Sequence, residues 1–314
     1  MANILITARS FGQTSEAACL LAANGHRLTF NPKDRPLTED ELIGLIGDQD
    51  GVIAGVDEYS RRVLDAAPRL KIIARYGVGH NNVDLAAARE RGVVVTITPG
   101  ANTIAVAELT FGLMLAIARK IPQYDNGVKN GRWGRLPTVE LHGKTLGIVG
   151  LGAIGLEVAK RAVAFGMTVV AYDPAARPEV AARYGFSYAP FATVVAAADY
   201  LSLHLPALPS TVGLIGRDTL RLMKPSAFLI NTARGELVVE EDLTAALRDG
   251  TIAGAALDAF AHEPLTGPLL AMDNAVLTPH SGAATREAAG RMGMMAAEEV
   301  LRCLGGEQPQ NRVG

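Results

Sequence analysis

Hydrophobic periodicity along the chain alternates between short apolar runs and stretches of helical spacing. In the first hundred residues, strand-like runs fall at Ile4–Thr7, Leu28–Phe30, Val52–Ala54, Ile72–Ala74 and Val93–Thr98. Helix-like stretches lie between them near 14–23, 39–47, 60–67 and 83–90. This βαβα order predicts a parallel sheet covered by helices. Turn chemistry at Thr96-Ile97-Thr98-Pro99-Gly100 then interrupts the pattern. A long helix is expected from about Asn102 to Lys120, with Glu108 its only interior charge and Pro122 ending it. So much apolar surface predicts burial between domains or between subunits. Residues 123–143, with Gly127, Gly131, Trp133, Gly134 and Pro137, show no period and predict an irregular arm reaching over a partner subunit.

A second α/β unit begins at 144. It predicts a strand at 146–149, a helix at 153–165, a strand at 168–172 and weaker helices near 178–184 and 191–197. Further strands are expected at Tyr200–Leu203, Ala227–Asn231, Gly254–Leu257 and Ala275–Thr278, with a helix at Glu240–Arg248. A last helix, roughly 285–304, is expected to pack back on the N-terminal unit and make it discontinuous. The expected domains are therefore 1–99 plus 285–314, and 100–284 with the helix and arm of 102–143.

The junction of the first strand and helix of the second unit reads Gly150-Leu151-Gly152-Ala153-Ile154-Gly155, and the second strand ends in Asp173, 18 residues past Gly155. Gly150 permits a tight turn, Gly152 lets backbone approach a pyrophosphate, and Gly155 lets helix and strand pack closely. The helix N-terminus presents free N–H groups and a positive dipole to phosphates. Asp173 can accept from both hydroxyls of an adenosine ribose and would repel a 2′-phosphate, which argues for NAD over NADP. The corresponding turn of the first unit, Thr7-Ala8-Arg9-Ser10-Phe11-Gly12, lacks the fingerprint, so that unit suits the substrate.

Composition narrows the remaining classes. The 314 residues are 49% hydrophobic but only 5% aromatic, which suits aliphatic α/β layers. A net charge of −2 gives no reason to expect nucleic acid or an anionic membrane as partner. Cys19 and Cys303 make no disulfide framework or metal spacing and read as reduced core thiols of a cytoplasmic protein. The longest uncharged apolar stretch, Leu109–Ala118, is too short to span a bilayer, and no signal core precedes the first strand.

Ligands of open parallel sheets bind outside the carboxyl ends of the strands. Those ends carry Thr232-Ala233-Arg234-Gly235, then Asp258-Ala259-Phe260-Ala261-His262-Glu263-Pro264, then Pro279-His280-Ser281-Gly282-Ala283. One arginine, one glutamate and one histidine thus converge on one edge. Together with Gly150–Asp173, with Arg75-Tyr76-Gly77-Val78-Gly79 and with Ala107-Glu108-Leu109, the sequence resembles the D-isomer-specific 2-hydroxyacid dehydrogenases over essentially its whole length. Within that family it is most similar to members of the D-3-phosphoglycerate dehydrogenase type.

The resemblance implies two doubly wound domains, a Rossmann NAD-binding domain inserted in a flavodoxin-like substrate domain, with the active site in the cleft between them. It also implies a homodimer. His280 suits the proton step, since imidazole titrates near neutrality. Glu263 would hydrogen-bond its other ring nitrogen and raise its pKa. Arg234 would grip a carboxylate in a bidentate fork and polarise the carbonyl. The N–H groups of Gly77, Val78 and Gly79 could form an anion nest for the same carboxylate, and Arg75 either helps bind an acidic substrate group or pairs with a helix. By resemblance Ala153 and Ile154 meet the pyrophosphate, and Leu205, Pro206, Thr232 and Ala233 lie near the nicotinamide half. Asp258 takes the carboxamide, while Gly282 and Ala283 line the ring. Many relatives carry a basic residue at the place of Ala153, so backbone is expected to hold more of the phosphate here.

The resemblance points first to 3-phosphoglycerate, with glyoxylate, hydroxypyruvate or another small 2-oxoacid as the close runner-up. Against the first, Gly55 stands where some phosphoglycerate enzymes have arginine. An NAD(H)-sensing, corepressor-like interaction protein is the alternative from another class. His262 reads as exposed, His204 as structural, and His80 as capping its turn or bordering the substrate. Trp133 and Arg135 read as packing residues or cross-subunit contacts.

Overall fold

The computed structural model describes residues 1–314. The chain divides into two compact units, 1–102 with 283–314, and 103–282.

The first unit opens with β1 (Asn3–Ile6), α1 (Glu16–Ala23), β2 (Arg27–Phe30), α2 (Glu39–Ile46), β3 (Gly51–Ala54), α3 (Arg61–Asp65), β4 (Ile72–Arg75), α4 (Leu85–Glu90) and β5 (Val94–Thr96). The second runs α5 (Thr103–Ala118), α6 (Ile121–Lys129), β6 (Thr145–Val149), α7 (Ala153–Ala164), β7 (Thr168–Tyr172), α8 (Pro178–Tyr184), β8 (Ser187–Tyr188), α9 (Phe191–Ala197), β9 (Tyr200–Leu203), α10 (Arg217–Leu222), β10 (Phe228–Asn231), α11 (Glu240–Arg248), β11 (Gly254–Leu257) and β12 (Ala275–Leu277). α12 (Arg286–Leu304) and β13 (Arg312–Val313) return to the first.

The first sheet has the order β13-β5-β4-β3-β1-β2, parallel except for β13, which pairs antiparallel with β5. Strand side chains alternate between two cores. Leu5, Val52 and Ile73 enter one, packed by Leu42, Ile46, Tyr59 and Leu64. Ile4, Ile6, Ile53 and Ile72 enter the other, packed by Leu21 of α1 and by Ala296, Ala297 and Val300 of α12. Both faces are therefore apolar, which is why these strands read as unbroken runs. Serine, threonine or aspartate caps start the helices: Ser15, Thr38, Ser60 and Asp84 each accept from a first-turn N–H.

The second sheet is all parallel, with the order β12-β11-β10-β9-β6-β7-β8. Order reverses at β6, between its neighbours β9 and β7, so a crevice opens at the carboxyl end of β6, where the glycine turn lies. The expected fold class is thus observed.

The apolar helix α5 packs on α7, β10, β11 and β12 of its own unit. Two local expectations are corrected. Pro122 does not merely end it: α5 stops at Ala118, Lys120 turns left-handed, and Pro122 sits in the first turn of α6, where its missing N–H costs nothing. The irregular arm therefore begins only after α6 ends at Lys129. The short β8 and β13 and the helix α10 carry too little periodicity to be read from sequence.

Candidate active site

The second unit assembles its polar groups on the carboxyl edge of its sheet, beginning at the glycine turn. Gly150 has φ +98, and a Cβ there would stand 2.7 Å from the His204 carbonyl. A Cβ on Gly155 would stand 2.2 Å from the Gly150 oxygen. Neither position admits a side chain. Gly152 is different: nothing lies within 4 Å of its Cβ position, and no side chain caps α7 there. The first-turn N–H groups of α7, at Ala153 and Ile154, thus border open space, the fit a pyrophosphate requires. Asp173 accepts from Leu151 N at 2.6 Å and Ala175 N at 2.7 Å, which ties the end of β7 to the glycine turn.

His204, directly behind that turn, bonds Ser202 Oγ through Nε2 at 2.8 Å. Burial pushes its pKa down to about 4, so it is neutral, in keeping with a structural part. Leu205 packs its side chain against Gly150. The Pro206 carbonyl accepts from Thr211 Oγ1 at 2.7 Å.

At the end of β10, buried Asn231 staples the turn that carries the arginine. Its Oδ1 accepts from Ala233 N at 3.0 Å and its Nδ2 donates to the Arg234 carbonyl at 2.8 Å. Thr232 turns its hydroxyl inward to Thr110 of α5, 2.8 Å away. Burial disfavours the charged Arg234 and lowers its pKa, against the opposing pull of Glu236 and Glu263, yet a guanidinium remains ionised. Gly235 is the closest approach: a Cβ there would stand 1.8 Å from the Phe260 carbonyl carbon. The loops after β10 and β11 are pressed backbone to backbone.

That contact fixes the loop holding Glu263. Its carboxylate lies 2.8 and 3.0 Å from His280 Nδ1, and Oε1 also accepts from Phe260 N at 3.2 Å. Burial would push the carboxyl up, but the hydrogen bond and charge of His280, the Phe260 N–H and the charge of Arg234 outweigh it and leave the pKa lowered. The pair is not sealed: the His280 and Glu263 side chains keep 40% and 34% exposure. With Nδ1 occupied, Nε2 is the nitrogen that can meet a substrate oxygen. His280 sits at φ +52, held by its own N–H to the Thr278 carbonyl at 3.0 Å. A left-handed histidine is uncommon and marks a constrained position. His262 beside Glu263 is exposed.

Asp258 differs from expectation. It is 2% exposed, and its oxygens accept from Thr278 Oγ1 (2.6 Å), Ser281 N (2.8 Å), Ser281 Oγ (3.2 Å) and Gly282 N (2.8 Å). A carboxylate offers about four acceptor sites, so here it shapes the loop bearing His280. The carboxamide role assigned to it would have to displace one of these.

In the first unit, Arg75 also departs from its substrate-binding expectation. It is 6% exposed; Nη1 donates to the carbonyls of Ala54, at 2.5 Å, and Gly55, and Nε donates to Gly79 O at 2.9 Å. Ending a buried strand, its side chain satisfies carbonyls of adjacent loops. It thereby shapes the turn of Gly77, Val78 and Gly79, whose Gly77 carbonyl also accepts from Thr98 N at 3.0 Å. The Gly77 and Gly79 carbonyls are thus both occupied within the unit. Thr7, Tyr59 and Gly55 complete the support, with Thr7 Oγ1 2.9 Å from both Tyr59 OH and Gly55 N.

Sequence alone does not single out Asn231, Thr110, Gly235 or Arg177, whose Nη2 donates to Leu151 O at 2.8 Å. Only Asn231 leaves a signal, as an asparagine opening a turn after a strand.

A family model for the NAD binding domain of D-isomer specific 2-hydroxyacid dehydrogenases matches residues 111–282. The chain is 45% identical over 282 residues to D-3-phosphoglycerate dehydrogenase of Methanocaldococcus jannaschii, covering 88% of this chain and 54% of that one. It is 44% identical over 267 residues to glyoxylate reductase of Thermococcus litoralis, covering 82% and 81%. A crystal structure of a Thermus thermophilus protein, 40% identical, matches with a TM-score of 0.91 over 99% of this chain and 100% of that one. The chain spans about half the length of the phosphoglycerate dehydrogenases it matches, 54% for the archaeal ones.

Proposed function

The chain belongs to the D-isomer-specific 2-hydroxyacid dehydrogenase family, and from that premise we propose that it is an NAD-dependent D-2-hydroxyacid dehydrogenase acting on a small 2-oxo or 2-hydroxy acid. The observation that carries the proposal is the Glu263–His280 hydrogen bond on the sheet edge that also bears Arg234. When bound, the nicotinamide supplies or accepts the hydride at the 2-carbon.

Arg234 holds the substrate carboxylate and draws charge toward the reacting oxygen. As the carbonyl electron pair moves onto that oxygen during reduction, His280 hands over the proton on Nε2 and becomes neutral imidazole. In oxidation it takes the hydroxyl proton back. Glu263 holds the ring by Nδ1, which fixes its orientation. Within the first unit, the N–H groups of Gly77, Val78 and Gly79 are the proposed anion nest, with Arg75 holding their turn. Ala153 and Ile154 contact the pyrophosphate through backbone. Leu205, Pro206, Thr232, Ala233, Gly282 and Ala283 line the nicotinamide half, and Asp173 reads the adenosine ribose and favours NAD over NADP.

A homodimer is part of the same reading. Within α6 and the segment after it, Ile121, Val128, Trp133, Leu136 and Val139 are 51%, 52%, 86%, 45% and 40% exposed, a concentration of large apolar side chains that suits a partner surface. Cys19 and Cys303 are free thiols, as suits a cytoplasmic enzyme, but against expectation neither lies in the core: Cys19 is exposed and Cys303 half-buried. No helix is long and apolar enough to cross a membrane.

The test is NADH consumption by the purified protein with glyoxylate, hydroxypyruvate and 3-phosphohydroxypyruvate. Turnover of at least one is expected, and His280→Ala should reduce it by about 10²–10⁴-fold while NADH still binds. NADH binding with no turnover across the panel would refute the enzyme reading and favour an NADH sensor.

A further inference from the structure

The turn of Gly77, Val78 and Gly79 is braced by a part of the first unit far from it in sequence. Glu299 of α12 is a carboxylate only 2% exposed. Its oxygens are taken up by the segment after α12: Oε2 accepts from Gln310 N and Oε1 from Asn311 Nδ2, each at 2.9 Å. A buried carboxylate stripped of its donors costs more than the bonds themselves are worth, so the segment is pinned here. The pin matters because β13 pairs with β5 through only two residues, Arg312 with Thr96 and Val313 with Val95.

The pinned residue reaches the turn through the chain beyond β5. The Asn311 carbonyl accepts from Ile97 N at 3.0 Å, and the next N–H, of Thr98, donates to the Gly77 carbonyl at 3.0 Å. Residues 97 and 98 thus join the pinned segment on one side to the turn on the other. α12 adds two further braces. Arg291 Nε donates to Ala101 O at 2.8 Å, and the Tyr76 hydroxyl donates to Ala289 O at 2.9 Å. The Gly77 carbonyl and the Val78 N–H belong to one planar trans peptide and point opposite ways. A donor fixed on the first therefore aims the second.

We propose that Glu299 and Asn311 are positioning residues for substrate binding, which hold Ile97 and Thr98 in place and, through the Gly77 peptide, the anion nest. The proposal rests on the reading of that nest as the site of the substrate's anionic group.

KM and kcat for a 2-oxoacid, with NADH dissociation constants from fluorescence titration, test it. Asn311→Asp sets a second carboxylate against Glu299 in place of a donor, so the two repel. KM should rise about tenfold, the worth of one hydrogen bond to a charged group, while kcat and NADH affinity stay within about twofold. Adding Glu299→Gln to Asn311→Asp should restore KM, because the glutamine N–H₂ then donates to the new carboxylate and its carbonyl still accepts from Gln310 N. Wild-type KM in Asn311→Asp overturns the proposal. So does a joint loss of kcat and NADH affinity, or a double variant no better than Asn311→Asp. Val78→Pro, which deletes the aimed N–H, tests the underlying reading separately. If it leaves KM unchanged while the double variant still rescues Asn311→Asp, the nest assignment falls and the positioning role of Glu299 and Asn311 stands. If Val78→Pro raises KM and Asn311→Asp does not, the nest stands and the proposal falls.

Discussion

Gly235→Ala puts the backbone contact behind the candidate active site under direct test. The added Cβ would stand 1.8 Å from the Phe260 carbonyl carbon and 2.2 Å from both Phe260 O and Ala261 N, where ordinary contact begins at 3.4 Å. One backbone must therefore retreat by about 1.6 Å, and neither neighbour is a flexible side chain that could swing aside. Overpacking of this kind should cost about 3 kcal/mol or more. In a unit the size of 103–282 that is a fall in melting temperature of roughly 6–12 °C. The damage would also be directional. Arg234 precedes the substituted residue, and Phe260 N donates to Glu263 at 3.2 Å, so the retreat separates the carboxylate-binding arginine from the carboxylate that orients His280. Misplacement by about 1 Å costs about 10²-fold in rate, so kcat/KM should fall at least that far. Thermal melts followed by circular dichroism, with steady-state kinetics on the folded variant at low temperature, give both readings. Gly152→Ala is the control: φ is −72 and nothing lies within 4 Å of the Cβ position, so it should melt like wild type but lose NADH affinity. Gly235→Ala with wild-type melting and kcat/KM would refute the reasoning.

Two further expectations concern charge. Arg234→Lys keeps the charge but loses the planar fork, so kcat/KM for a 2-oxoacid should fall by about 10²-fold or more; near-wild-type kinetics would move the carboxylate site elsewhere. His204, at about 4 when folded against an ordinary 6.5, should make stability fall as pH drops from about 6.5 toward 4 and then level off, because only the unfolded chain takes up the proton in that window. That dependence amounts to about 2–3 kcal/mol, and urea midpoints of His204→Asn between pH 4 and 7 should lack it; an unchanged acid limb would assign it to other groups.

Sequence carries furthest where a residue acts through its own neighbours. The glycine spacing before α7 and the unbroken apolar strands are local or periodic signals, and the longer strands of both sheets follow from them. It carries least where a side chain's role depends on which loops lie beside it. Arg75 reads as binding an acidic group or pairing with a helix, and the family resemblance places Asp258 at the carboxamide. In the structure Arg75 serves the carbonyls of residues 54, 55 and 79, and Asp258 serves the loop at 278–282. Pro122 reads as a stop because helix-breaking is its commoner effect, yet at the first turn of α6 it is compatible with a start.

By itself the sequence determined the α/β class from periodicity and the family from its joint motifs, and it offered the glycine turn and Arg234, Glu263 and His280 as candidates at strand ends. Only tertiary structure decided what those strand ends share. It pressed Gly235 onto the Phe260–Ala261 peptide, joined Glu263 to Nδ1 of His280 across 17 residues, and brought Arg177 back to Leu151 across 26. Such contacts are made by strand order and loop return, and no periodicity within one segment encodes them.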